Sequence, residues 1–155
     1  MDAAGSAAGW PGEIRRAWAD DIDRVAALAA ALALSFEFSP EKFRASYPAL
    51  LAADGTCLLV AAAGTDCAGY LLGFRHLTFY ANGPVAWVEE LVVRDGERGR
   101  GIGRALMNAF EAWAVTESCT LVALATRRAA PFYRALDYEE SAAYFRKVLV
   151  SQARS

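Results

Sequence analysis

Several common chemistries are missing from this chain. It has 155 residues but only one histidine and three cysteines. Cys57, Cys67 and Cys119 form no Cys-x-x-Cys pair, and their number is odd. Free thiols in a reducing cytosol are therefore expected, with no disulfide framework. No group of His, Cys, Asp and Glu has metal-ligand spacing. No Gly-x-Ser-x-Gly elbow is present, so a hydrolase triad is not indicated. Net charge is −2, with acids and bases mixed along the chain, which gives no nucleic-acid footprint. The longest apolar stretch, Val25 to Leu34, is too short to span a bilayer. Met1-Asp2 opens no secretory signal. These features point to a cytoplasmic location and to partners other than nucleic acid or membrane.

Hydrophobic residues make up 55% of the chain, enough for one domain with its own core. Residues 1–12, rich in Ala and Gly, read as a flexible leader, 13–150 as the domain and 151–155 as a tail. Glu13 to Trp18 fits a first strand. Asp20 is a candidate N-cap for a helix with Ile22, Val25, Leu28, Ala29 and Leu32 on one face. Ser39-Pro40-Glu41 opens a second helix, and Pro48 complicates its end. Thr56 to Ala63, the turn Gly64-Thr65-Asp66, and Cys67 to Leu77 form a hairpin pattern. Asn82-Gly83-Pro84 is the next turn. Val85 to Val93 is apolar enough to be a central strand. A helix from Ile102 to about Glu117 buries Ile102, Leu106, Ala109, Phe110 and Trp113. Leu121 to Ala125 is a short strand, Pro131 to Leu136 a short helix, and Glu139 to Leu149 a final strand. The order β-α-α-β-β-β-α-β-α-β gives an α+β fold, a three-layer mixed sheet in one domain.

The most informative stretch is Arg98-Gly99-Arg100-Gly101-Ile102-Gly103-Arg104. It stands where an apolar strand hands over to an amphipathic helix. Glycines there leave backbone N–H groups free to close on an anion, and the helix start adds its positive dipole end. Arg98, Arg100 and Arg104 bring further positive charge. No Lys-Ser/Thr follows, so it is not a Walker A loop. Neither frame of the run satisfies Gly-x-Gly-x-x-Gly, so it is not the dinucleotide fingerprint. The pattern that fits is Arg98-x-x-Gly101-x-Gly103.

That pattern resembles the acyl-CoA pyrophosphate loop of the GNAT superfamily of N-acetyltransferases. The strand before it, Glu89-Glu90-Leu91-Val92-Val93, extends the likeness. So does Ala130-Pro131-Phe132-Tyr133-Arg134-Ala135-Leu136-Asp137-Tyr138, which resembles the family's second signature. The resemblance implies a mostly antiparallel sheet, splayed at its centre, with helices on both faces. It implies acetyl transfer from acetyl-CoA, without a metal, to a primary amine of a small molecule or peptide, by direct attack in a ternary complex. It is compatible with a homodimer. A non-catalytic acyl-CoA-binding regulatory module is the alternative.

The resemblance also assigns roles. Leu91, Val92 and Val93 would offer backbone groups to the pantetheine amides, much as a neighbouring strand would. Arg98, Gly99, Arg100, Gly101, Ile102, Gly103, Arg104 and Ala105 would hold the pyrophosphate. Thr126 stands where the family often has Asn and can still donate one hydrogen bond. Asp137 stands where Gly is usual, and Asp tolerates positive φ better than most residues. Tyr133 would protonate the leaving thiolate, since its hydroxyl is neutral at pH 7.

The attacking amine must also lose a proton, which directs attention to Glu89 and Glu90. Strand alternation would put them on opposite faces, so only one could serve the site. The resemblance favours Glu89 as the base, acting through water, because the family's glutamates on this strand often sit an even number of positions before the residue matching Val93. The plain alternative is that one glutamate faces solvent and the other pairs with Arg75. Phe36, Glu37, Phe38 and Tyr80, with Trp87 nearby, are expected to line the acceptor pocket, where aromatics and a carboxylate suit an amine cation. His76 is expected to be structural or exposed.

Overall fold

The computed structural model describes residues 10–32 and 36–150. Along them run β1 (Glu13–Arg16), α1 (Ile22–Leu32), α2 (Pro40–Ala52), β2 (Thr56–Ala63), β3 (Asp66–Leu77), β4 (Pro84–Val93), α3 (Ile102–Thr116), β5 (Val122–Leu124) and α4 (Ala130–Arg134). The strands form one sheet in the order β1-β2-β3-β4-β5. All pairings are antiparallel except the last, between β4 and β5.

The sheet separates two apolar clusters, which makes the fold three-layered. On one face α3 lays Ile102, Leu106, Met107 and Phe110 against Leu59, Leu71, Ala86 and Val88. Gly73 belongs to this packing: a Cβ there would come within 2.2 Å of the Phe110 ring. Trp10 is buried in the same cluster, so this part of the expected leader contributes to the core. Residues 1–9 and the tail 151–155 lie outside the described residues. On the other face Val25 and Leu28 of α1 and Tyr47 of α2 pack on Leu58, Val60, Tyr70 and Leu72.

The chain enters α1 through a single 3-10 turn, Ala19–Asp21. Asp21, not Asp20, organises it. The Asp21 carboxylate accepts the Trp18 N–H at 2.7 Å and binds Arg15 and Arg24 at 2.8 and 3.0 Å. It is fully buried, and the Arg15 guanidinium holds its pKa far below the usual carboxylate range. Asp20 is exposed. Ser39 caps α2 as expected, accepting the Lys42 N–H at 3.3 Å. Pro48 does not end that helix, which runs on to Ala52.

Two features of β4 shape everything that follows. It pairs with β5 only at Ala86, Val88 and Trp87 between them, so its last residues have no partner on that side. This is the splay. The register with β3 also slips: Leu72 faces Glu90 and Gly73 faces Val88, leaving Glu89 as the extra residue of a β-bulge.

The final strand expected over Glu139–Leu149 does not form. Residues 139–149 carry no strand pairing and are exposed. Alternating apolar residues give a chain strand propensity, but a strand also needs a hydrogen-bonded neighbour. Among the described residues no strand pairs with the outer edge of β5.

Candidate active site

The bulge decides where the two glutamates point. Trp87 sits opposite Phe74, which packs with the α1/α2 cluster. The Trp87 indole N–H donates to Glu89 Oε2 at 3.0 Å, so Glu89 lies on that face. Glu90 sits opposite Leu72 of the same cluster, and Tyr70 donates to its Oε1 at 2.7 Å. The extra residue therefore brings both carboxylates to one face. The expectation of opposite faces is corrected: alternation holds along a regular strand and is reset at a bulge. Arg75 pairs with neither; it lies near Asp54 and Glu117 at 3.5 and 3.3 Å.

Both glutamates line a cleft of ≈ 2720 Å³ that runs from the α1–α2 link, past the splay, to α4 and the C-terminal residues. Phe36, Glu37, Phe38 and Trp87 line it as expected, and Tyr133 and Thr126 stand on its far wall. Tyr80 does not contribute; it is exposed in the β3–β4 turn. His76 is exposed and also lies outside the cleft.

Tyr133 is held by edge-on contacts with Phe132 and Tyr138 at ring separations of 5.0 and 5.9 Å. Burial raises its pKa above the usual tyrosine value, so the hydroxyl keeps its proton at neutral pH. Thr126 Oγ1 accepts the Ala129 N–H at 3.0 Å, closing the turn that leads into α4; its own O–H can still donate. Asp137 adopts φ +67°, the left-handed turn anticipated from its position.

The glycine loop has the form a phosphate cradle needs. Gly99 and Gly101 have φ of +79° and +81°, and Gly101 caps α3. The first N–H groups of α3, from Ile102 to Arg104, have no carbonyl one turn earlier and point out of the helix start. Gly103 sits under Phe132, where a Cβ would come within 3.2 Å of the ring. That contact locks the loop to the helix carrying Tyr133. Ala105 departs from expectation. Its side chain is buried and its N–H is bonded to the Gly101 carbonyl at 3.0 Å, so it serves the helix.

The arginines are positioned by acids. Arg98 lies 3.2 Å from Asp95, and Arg100 lies 2.6 Å from Glu97. Arg104 donates to the Ala135 carbonyl at 3.4 Å, tying α3 to the end of α4. Leu91 and Val93 turn their side chains into the α3 cluster and Val92 into the other. One backbone edge of these three residues pairs with β3; the other faces the splay. An extended chain of amides fits that edge as a strand would. Among the described residues no cluster could hold a metal ion, and no helix is long and apolar enough to cross a membrane.

Comparison with known proteins agrees with this fold. The model of the acetyltransferase (GNAT) family matches residues 22–138. A curated relative, the aminoglycoside N(6')-acetyltransferase type 1 of Stenotrophomonas maltophilia, is 33% identical over 112 residues, covering 65% of this chain and 72% of that protein. A structure from Bacillus halodurans described as a transcriptional regulator superposes with a TM-score of 0.82 at 21% identity, covering 89% of this chain and 99% of the other. An aminoglycoside N-acetyltransferase, AAC(6')-Iy, in complex with CoA superposes with a TM-score of 0.77 at 21% identity, covering 88% and 94%.

Proposed function

This chain belongs to the acetyltransferase (GNAT) family and is an acetyl-CoA-dependent N-acetyltransferase; from that premise we propose that its acceptor is a small molecule carrying several amines, of the aminoglycoside kind. The observation that carries the proposal is the bulge at Glu89, which gathers two carboxylates beside Trp87 on the face of a cleft that Glu37 also lines. A multiply charged amine is attracted to such a surface, and the aromatic walls favour cations. The aminoglycoside-acetylating relative supports the same acceptor class.

In this reading the pantetheine arm pairs with the free edge of Leu91–Val93, and the pyrophosphate meets the N–H groups from Gly99 to Arg104. Arg98 and Arg100 add charge at the mouth. The thioester then lies between Glu89 and Tyr133. Glu89 receives the proton of the ammonium through water, releasing the lone pair that attacks the acetyl carbon. Glu90, held by Tyr70, keeps the acceptor's other cationic groups in place. As the C–S bond breaks, Tyr133 donates its proton to the sulfur, and the second proton, released by the acylated nitrogen, restores the Tyr133 hydroxyl. The loop, the base and the acid all sit on one α3–β4–α4 frame, which fixes their mutual positions.

The test is an acceptor panel with acetyl-CoA and thiol detection, comparing aminoglycosides, polyamines, amino acids and short peptides. Aminoglycosides should give the highest kcat/KM. Faster turnover of peptides would refute the acceptor class. Tight CoA binding with no acetylation of any amine would favour the regulatory module.

A further inference from the structure

Glycine on both sides of Arg100 gives the loop before α3 freedom to take many shapes. Gly99 and Gly101 adopt positive φ, and Gly96 earlier in the loop has φ of +88°. A loop so built can close on a phosphate, but it loses that freedom on binding unless something restrains it beforehand. Here the restraint is a chain of charges that begins elsewhere on the sheet.

Asp66 is the first residue of β3, where the turn from β2 ends. Its Oδ1 accepts the Cys67 N–H at 2.9 Å, which fixes the carboxylate against its own backbone. Both carboxylate oxygens then bind Arg94, at 3.0 and 2.9 Å, in the forked geometry a guanidinium makes with a carboxylate. The Arg94 backbone is fixed as well: its N–H donates to the Ala68 carbonyl at 2.7 Å, just past the β3–β4 register at Val93. The same guanidinium reaches Glu97 Oε1 at 3.4 Å, and Glu97 Oε2 takes Arg100 at 2.6 Å. The Glu97 N–H closes the intervening turn onto the Arg94 carbonyl at 3.0 Å. The Arg94 hydrogen bonds pull the Asp66 pKa below the usual carboxylate value, so the first link stays charged at neutral pH. Exposed ion pairs add little to stability one by one. Linked in series, with one end fixed on the sheet, they set a position instead.

We infer that Asp66, Arg94 and Glu97 are positioning residues for CoA, holding Arg100 and the glycines beside it in the shape that receives the pyrophosphate. They act through Arg100 and the loop backbone. The inference rests on the reading of this loop as the pyrophosphate site and is independent of the acceptor.

The sign of the effect identifies it. Asp66→Asn and Glu97→Gln each remove a negative charge near an anion site, so charge alone would tighten CoA binding. Lost positioning weakens it. Calorimetry with CoA on the full chain should give a Kd about three- to tenfold weaker for each variant. In turnover the loss should fall on the acetyl-CoA KM rather than on kcat. Arg94→Lys keeps the charge but lacks the planar fork, and should weaken binding likewise. In an Arg100→Ala background, Asp66→Asn should change Kd by less than about twofold, because the group it positions is gone. The Asp66 and Arg94 side chains are 58% and 41% exposed, so thermal melts of these variants should match the parent's. Unchanged or tighter CoA binding in Asp66→Asn and Arg94→Lys would overturn the inference. So would an equal effect of Asp66→Asn with and without Arg100. Gly101→Asp separates the two possible failures. If it leaves CoA affinity intact, the loop reading falls and this inference falls with it. If it abolishes binding while Asp66→Asn and Arg94→Lys do not weaken it, the relay alone is refuted.

Discussion

The Tyr70 hydroxyl donates to Glu90 Oε1 at 2.7 Å, tying the middle of β3 to the residue just past the β4 bulge. Burial and the neighbouring Glu90 charge push the Tyr70 pKa upward, so this donor stays protonated. Glu90 is held in one position, while Glu89 accepts the Trp87 indole N–H and remains exposed to the cleft. Two adjacent carboxylates are thereby suited to different tasks.

These tasks separate in kinetics. Glu89→Gln should lower kcat by about 10²-fold at neutral pH, with recovery at high pH as the acceptor loses its proton unaided. Glu90→Gln and Tyr70→Phe should mainly raise the acceptor KM. Steady-state pH profiles of the three variants check this. The opposite ranking would assign the base to Glu90.

Tyr133→Phe removes a proton donor and almost no volume. CoA affinity by calorimetry should be unchanged while kcat falls by about 10²-fold. Because burial raises the pKa of Tyr133, its donor form persists as pH rises past the usual tyrosine value. Any alkaline decline in turnover caused by its ionisation should therefore begin above about pH 10. A Tyr133→Phe enzyme as fast as the parent would reduce the residue to packing.

In the glycine loop, Gly101→Asp and Gly103→Asp should abolish CoA binding by setting a carboxylate against pyrophosphate. Milder changes separate the causes. Gly101→Ala forces a Cβ into the left-handed region, costing about 1–2 kcal/mol. Gly103→Ala crowds Phe132 instead, so it should disturb turnover through α4 more than CoA affinity. Calorimetry beside kcat measurements resolves the two.

Asp21→Asn leaves Arg15 and Arg24 without their shared carboxylate. Breaking a buried pair costs about 3–5 kcal/mol, with the low end apt here because Arg24 is partly exposed. The folded-state pKa of Asp21 lies below its unfolded value of about 3.9. Its stabilisation is therefore complete above about pH 4 and is lost as pH falls toward the folded value. Thermal melts between pH 2 and pH 7 should show a steeper acid decline for the parent than for Asp21→Asn.

Where local rules govern, the sequence was readable. Thr56 to Ala63 forms β2 with the bounds its apolar pattern suggested, and Ile102 opens α3 after the glycines. Ser39 caps α2 because a hydroxyl before Pro40 needs no distant partner. Legibility failed where the outcome depends on pairing across the sheet. The Glu89 bulge is a register slip between β4 and β3, and no periodicity within β4 announces it. Asp20 and Asp21 are equivalent as local caps; Arg15 on β1 and Arg24 on α1 select Asp21. The alternating residues 139–149 read as a strand because the pattern carries no information about whether a neighbour exists. Tyr80 belongs to the turn between β3 and β4, and the sequence carries no sign that this turn stays outside the cleft.

The sheet's two clusters have a consequence for how this protein can diversify. Phe110, Leu106 and Ile102 pack in one cluster with Tyr133, while Tyr47, Tyr70 and Val25 of the other cluster line the cleft. Only backbone lies between them. Repacking the acceptor side should leave the opposite packing undisturbed, and substitutions across the sheet should combine additively. The architecture thus divides inheritance in two: one half can explore new chemical clients while the other keeps its grip on a common donor.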